Sequence, residues 1–170
     1  MGFFKNIFNS SKEKEVATET EKNTLYSPLA GTVIELEEVA DGVFSSGMLG
    51  KGCAVVPSEG TVVAPCNGTV TTVTDTKHAI GFISDDGMEV LIHIGLDTVT
   101  MNGKGFQMFV KAGQKIKCGQ KLISFDRQAI ADAGFKDTTM VVIANSDNYD
   151  EVNLIKKGTA NVGEKLITVN

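Results

Sequence analysis

From Thr24 to the C-terminus, short apolar runs alternate with glycine-bearing breaks. "GTVIEL", "GCAVVP", "GTVVAP", "GTVTTV", "AIGFI", "EVLIHI", "KLISF", "MVVIA" and "KLITV" are all rich in Val, Ile and Thr. Such residues fit a pleated, half-buried surface, and runs this short at close intervals predict strands. The expected fold class is all-β, an antiparallel β-sandwich of barrel-like build with short helical segments. One helix is predicted at "RQAIADA", with Asp126 as N-cap and Gly134 as its stop. Two echoes run through the pattern. "SPLAGTV" at Ser27 matches "APCNGTV" at Ala64, and "CGQKLIS" at Cys118 matches "VGEKLIT" at Val162. They predict similar turn-then-strand units used twice within one fold.

Residues 1–22 read differently. "MGFFKNIF" places Phe3, Phe4, Ile7 and Phe8 on one face at helical spacing, and the polar "NSSKEKEVATETEK" that follows has linker composition. The expected division is an amphipathic segment and linker over 1–22 and one domain over 23–170. An apolar helical face beside Lys5 fits peripheral contact with a membrane through residues 1–10.

The stretch "DTKHAIGFISDDGMEVLIHIGLDTV" holds His78 and His93, the only two histidines of the chain. Asp-Gly favours a two-residue hairpin turn, which makes Asp86 and Gly87 the central pair. In that register His93 faces Ile80 and His78 faces Gly95. Both imidazoles then share one face with Ile80 and Leu91, while Ala79, Val90, Ile92 and Ile94 form the opposite, core-facing stripe. A one-residue change in the loop would separate the rings. On the shared face, Ile80 and Leu91 form an apolar rim of the kind that receives a partner. The competing reading is a strand buried on both sides with two satisfied core histidines.

Charge and composition narrow the chemistry. The net charge is -5 and the pI about 5.0, which argues against a nucleic-acid partner. Cys53, Cys66 and Cys118 are scattered and odd in number, as suits a reducing, cytoplasmic setting. No run of 18 apolar residues is present, and neither is a P-loop or dinucleotide fingerprint. A phosphoryl group would therefore arrive on another protein rather than on bound ATP. Histidine titrates near neutrality and is a recognised nucleophile. His93 could carry the group, with His78 and the Thr76 hydroxyl donating to its oxygens, and Asp97 could fix a ring tautomer or the nearby backbone.

"GMEVLIHIGLDTV" resembles the phosphorylation-site signature of the glucose-type IIA component of the bacterial phosphoenolpyruvate-dependent sugar phosphotransferase system. The similarity extends to "SPLAGTV", "DGVFSSGMLGKGCAVVPSEGTVVAPCNGTV", "DTKHAIGF", "GKGFQMFVKAGQKIKCGQKLISFD" and "VGEKLITV". It implies a phosphotransferase with a phosphohistidine intermediate, taking the group from the phosphocarrier HPr and passing it to a cysteine on the IIB domain of a sugar permease. His93 matches the phosphorylated histidine, modified on Nε2. His78 matches the second active-site histidine, and Thr76 the threonine beside it. Phe44 and Leu91 match places in a hydrophobic ring that receives partners, and Val43 is their neighbour. Thr74 stands where an aromatic is sometimes found, which bears on regulatory protein targets. The family has an antiparallel β-sandwich fold, and some members carry an N-terminal amphipathic segment that meets the inner face of the cell membrane. No cofactor is required, although zinc bridged by the two histidines, here His78 and His93, occurs in some family complexes. Two other readings stand beside this one. A LytM-type zinc metallopeptidase of related fold would need a third ligand such as Asp97, and a non-catalytic binding module would use the apolar rim alone.

Overall fold

The computed structural model describes residues 19–170. The amphipathic segment expected at residues 1–10 lies outside the described residues. All nine predicted runs form strands, joined by five shorter ones. In chain order they are β1 (Thr24–Tyr26), β2 (Gly31–Glu35), β3 (Lys51–Pro57), β4 (Thr61–Val63), β5 (Gly68–Val73), β6 (Ala79–Ser84), β7 (Glu89–Ile94), β8 (Phe106–Met108), β9 (Lys115–Ile116), β10 (Lys121–Phe125), β11 (Thr139–Ile143), β12 (Val152–Leu154), β13 (Gly158–Ala160) and β14 (Lys165–Val169). Helix α1 (Arg127–Asp132) sits where its end signals place it. The Asp126 carboxylate accepts from Ala129 N–H at 3.1 Å, and Gly134 follows with φ 88°.

Every pairing is antiparallel. An eight-stranded sheet runs β9-β5-β6-β7-β11-β3-β2-β13, and two three-stranded sheets run β4-β10-β8 and β12-β14-β1. The main core draws on all three sheets. It joins Val33, Val55, Phe82, Ile92 and Val141 of the large sheet to Leu122 and Phe125 of one small sheet and Leu25, Leu166 and Val169 of the other. That arrangement is a sandwich, with apolar side chains of facing sheets meeting in the middle.

The second sequence echo has a structural counterpart. "KLIS" and "KLIT" form β10 and β14, the central strands of the two small sheets, and each has a register shift after its lysine. Each follows a tight turn with a left-handed glycine, Gly119 or Gly163. Gln120 Oε1 accepts from Lys117 N–H at 3.0 Å, and Glu164 Oε1 accepts from Asn161 N–H at 2.8 Å. A side-chain acceptor closing its own turn explains why the pattern Gly-Gln/Glu-Lys-Leu-Ile recurs.

A second, smaller core covers the outer face of the large sheet. A single register row crosses five strands there: Ala79, His93, Met140, Ala54 and Ile34. Leu36, Phe44, Ala54, Met140 and Val142 bury one another, and Leu91 and Leu96 pack at the edge. A short 3-10 helix (Leu36–Val39) contributes Leu36 and Val39 to this layer, and the loop after it contributes Phe44. One histidine of the pair therefore stands at the border of a packed apolar layer.

Candidate active site

The hairpin that carries the site differs from the expected one in register. The loop holds three residues, Asp85, Asp86 and Gly87, closed by Ser84 N–H to Met88 O at 2.8 Å and Gly87 N–H to Ser84 O at 2.9 Å. Gly87 adopts φ 98°, as the last residue of a three-residue hairpin loop requires. Ser84 Oγ also accepts from Met88 N–H at 2.9 Å, which favours this loop over the two-residue turn. Ala79 accordingly pairs with His93, and Ile80 with Ile92.

This corrects two expectations. Ile80 belongs to the main core and is 1% exposed, so it forms no docking rim. Ala79, assigned to the core stripe, shares the outer face with His93 and Leu91. Strict alternation would also carry His78 inward. Yet the two rings meet edge to face, with centroids 4.7 Å apart. His78 lies just before β6 and follows Lys77, whose φ is 62°. The turn is closed by Lys77 N–H to Thr74 O at 2.9 Å, and it ends the pleat before alternation reaches His78. The rings come together through a turn rather than through the predicted pairing.

Each ring has a local partner at Nδ1. Thr76 Oγ1 lies 2.7 Å from His78 Nδ1. His93 Nδ1 lies 3.1 Å from the Gly95 carbonyl. A carbonyl can only accept, so His93 donates from Nδ1 and the neutral ring keeps its lone pair on Nε2. Gly95 holds this carbonyl at φ 83°, and a Cβ there would fall 2.4 Å from Thr98 Cγ2. The position thus demands glycine on two grounds, and it is a site residue that sequence reasoning passed over. The only signal was a Gly two places after the histidine.

Asp97 does not take the expected role. It is exposed, left-handed at φ 65°, and its side chain makes no hydrogen bond to either imidazole. A different acid organises the site. Asp41 accepts from the N–H groups of Ser45 at 2.9 Å, Phe44 at 3.1 Å and Val43 at 3.3 Å. This clasp shapes the loop that sets the Phe44 ring 5.1 Å from that of His93. Burial raises the Asp41 carboxyl, but the three N–H donors outweigh it and leave the group below its ordinary range. Phe44 is buried at 6% exposure and acts as a wall of the site, while Val43 is exposed at 44%. Leu91 is half-buried, and Met48 and Val99 add further exposed apolar surface.

Burial pushes the His93 imidazole down to about 4, with the charge of His78 adding to the depression and the Gly95 carbonyl and Asp41 opposing it. Burial also lowers His78. Both rings are thus neutral at physiological pH. In an NMR titration His93 should remain neutral at pH 6 and titrate near 4. Relative to an ordinary imidazole at 6.5, this depressed group contributes stability that is fully present above 6.5 and falls as pH drops toward about 4. A His93 midpoint at or above 6 would contradict the buried, neutral ring.

Among the described residues, no group of three or more His, Cys, Asp and Glu side chains is placed to hold a metal ion. Asp97, named as the third ligand that a metallopeptidase would need, is not grouped with the histidine pair among the described residues. The three cysteines are free and buried, and burial pushes the Cys53 thiol up to about 12 and that of Cys118 to about 11. They are therefore poor nucleophiles. Among the described residues, no helix is long and apolar enough to cross a membrane.

Residues 23–149 match the family model described as phosphoenolpyruvate-dependent sugar phosphotransferase system, EIIA 1. The chain is 44% identical to a glucose-specific EIIA component of Oceanobacillus iheyensis, over 96% of each protein. It is 45% identical to a beta-glucoside-specific EIIBCA component of Bacillus subtilis, covering 86% of this chain but only 24% of that longer protein. Among solved structures, the glucose permease IIA from Mycoplasma capricolum superposes with a TM-score of 0.80 at 33% identity, covering 87% of this chain and 96% of that one.

Proposed function

Because this chain belongs to the EIIA 1 family of the sugar phosphotransferase system, and is thereby one of its phosphotransferase components, we propose that His93 Nε2 is the atom that carries the phosphoryl group. The observation that carries the reading is the Gly95 carbonyl at 3.1 Å from Nδ1, which leaves Nε2 as the free lone pair of a neutral ring. In the first step this lone pair attacks the phosphorus of a phosphohistidine on HPr. A new N–P bond forms as the donor's N–P bond breaks, and the donor nitrogen keeps that electron pair. In the second step a cysteine thiolate of a IIB domain attacks the same phosphorus, and the N–P electrons return to His93. His78 is neutral, and with Thr76 Oγ1–H donating to its Nδ1 it presents Nε2–H to the phosphoryl oxygens.

Each step spreads charge over the equatorial oxygens, so a preorganised donor counts most at the transition state. The Phe44 wall and the apolar layer beneath His93 limit water near the N–P bond, which slows its loss by hydrolysis. Val43, Leu91 and the edge of Phe44 form the apolar surface that both partners cover in turn. The test is incubation with phosphoenolpyruvate, Enzyme I and HPr, read by intact mass and site mapping. One acid-labile phosphoryl group on His93 is expected, and none, or one elsewhere, would refute the reading.

The setting this implies is the cytoplasm, with residues 1–10 giving peripheral contact at the membrane face. Removing residues 1–20 should reduce binding to anionic vesicles while phosphorylation persists; unchanged vesicle binding would remove that role.

A further inference from the structure

Thr98 opens the 3-10 helix Thr98–Met101 and is wholly buried, 0% exposed. Its side chain hydrogen-bonds to neither imidazole. The hydroxyl instead donates to the Ile94 carbonyl, the last of β7.

That carbonyl has a history in the strand pairing. Continuing the β6–β7 register one step beyond Ala79 and His93 sets His78 against Ile94. A regular antiparallel ladder would join these two residues by two bonds. One is made, from Ile94 N–H to His78 O at 2.8 Å. The return bond, from His78 N–H to Ile94 O, is not, because left-handed Lys77 takes the chain out of the ladder there. Ile94 is 0% exposed, and a buried carbonyl left without a donor is costly. The Thr98 hydroxyl supplies the donor that the ladder lost.

We propose that Thr98 is a positioning residue of the relay: by taking the ladder place of the His78 N–H, it lets His78 leave the pleat and stand beside His93. This inference rests on the relay reading and adds to it a residue that meets neither the phosphoryl group nor a partner. Without the hydroxyl, the donor that strand pairing offers to Ile94 O is the His78 N–H itself. Closing that bond extends β6 by one residue. Alternation then turns the His78 ring to the inner face, where Ile94 lies in the main core. His93 is held by other bonds. Gly95 N–H donates to Thr138 O at 2.9 Å and Leu96 N–H to Lys136 O at 3.1 Å, which keeps the Gly95 carbonyl on His93 Nδ1. The hydroxyl therefore serves the second histidine and spares the nucleophile.

The test compares Thr98→Val, which keeps the shape without the hydroxyl, with Thr98→Ser, which keeps the hydroxyl. Uptake from phospho-HPr and transfer to an isolated IIB domain are timed separately on the full chain, and NMR of the unphosphorylated protein reads the contact between the two rings. In Thr98→Val, kcat for transfer is expected to fall about tenfold and uptake less than about threefold, because the donor to the phosphoryl oxygens is displaced while the nucleophile stays. The KM for IIB should hold, and the ring contact should weaken. Thr98→Ser should keep both transfer and ring contact. Should Thr98→Val fail to fold, Thr98→Ala against Thr98→Ser makes the same comparison, hydroxyl off and on.

A folded Thr98→Val chain with wild-type transfer and an intact ring contact would overturn the inference. So would equal losses in the two half-reactions, or a transfer defect with the rings still in contact, since either makes the effect a general one. A Thr98→Ser chain as impaired as Thr98→Val would overturn it by assigning the effect to the methyl group. A wild-type chain that takes up no phosphate would instead remove the relay reading, while the ring contact, measured without phosphate, would still decide whether Thr98 positions His78.

Discussion

His93→Ala is expected to abolish phosphate uptake from phospho-HPr, with no phosphoryl group detectable by mass at any enzyme concentration. The loss is total because nothing nearby can substitute. The three thiols are buried with raised pKa values, and His78 has its Nδ1 engaged by Thr76. The fold should survive, since His93 stands at the edge of the outer apolar layer and the variant strips only one acceptor, the carbonyl of buried Gly95, of its ring donor. A solvent molecule entering the space that the ring vacates can donate to this carbonyl in its place. Thermal melting of the variant close to wild type, together with complete loss of uptake, is the expected pair of results. Residual uptake mapped to His78 would mean that the two rings share the nucleophilic role.

The second large effect belongs to His78→Gln, read separately on the two half-reactions. A glutamine amide keeps one N–H donor near the phosphoryl oxygens but loses the ring that Thr76 orients. Uptake should fall by less than about tenfold, because it starts from a high-energy phosphohistidine and ends on a chemically similar nitrogen. Onward transfer to the IIB cysteine should fall on the order of a hundredfold, the cost of losing one preorganised donor at a charge-spreading transition state. Equal losses in the two steps would mean that His78 serves both alike. Thr76→Val, which removes the hydroxyl at 2.7 Å, should reproduce part of the transfer defect and leave the His93 titration near 4. That pairing separates orientation of His78 from a general collapse of the site.

Much of this architecture was legible in the residues. The strands follow from β-branched runs, and α1 follows from Asp126 and Gly134 because caps act locally. The echo between "CGQKLIS" and "VGEKLIT" pointed to repeated turn–strand units, which are the central strands of the two small sheets. The five unread strands have two or three residues each, too few to show a period. The histidine hairpin shows how a correct conclusion can rest on a faulty step. Asp-Gly suggested a two-residue turn, but the Ser84 hydroxyl bonding to Met88 N–H favours three, and nothing in the spacing of apolar residues registers that bond. The slip moved Ile80 from the outer face to the core. The rings meet nonetheless, because the turn through Lys77 lies beyond the reach of strand alternation. Gly95 and Asp41 act through a backbone carbonyl and a cluster of backbone N–H groups, contacts that only the folded chain reveals.

The bulge at Thr71 and the three-residue loop after Ser84 are two odd insertions flanking one strand. Losing a codon at either place would straighten its hairpin and make the pairing more regular. Without Thr71, Val70 would still face Phe82 and Thr72 would still face Gly81, and a two-residue loop could still join Ser84 to Met88. A one-residue deletion at either place is therefore expected to leave Gly81 and His93 on their present faces while removing a threonine or tightening a turn.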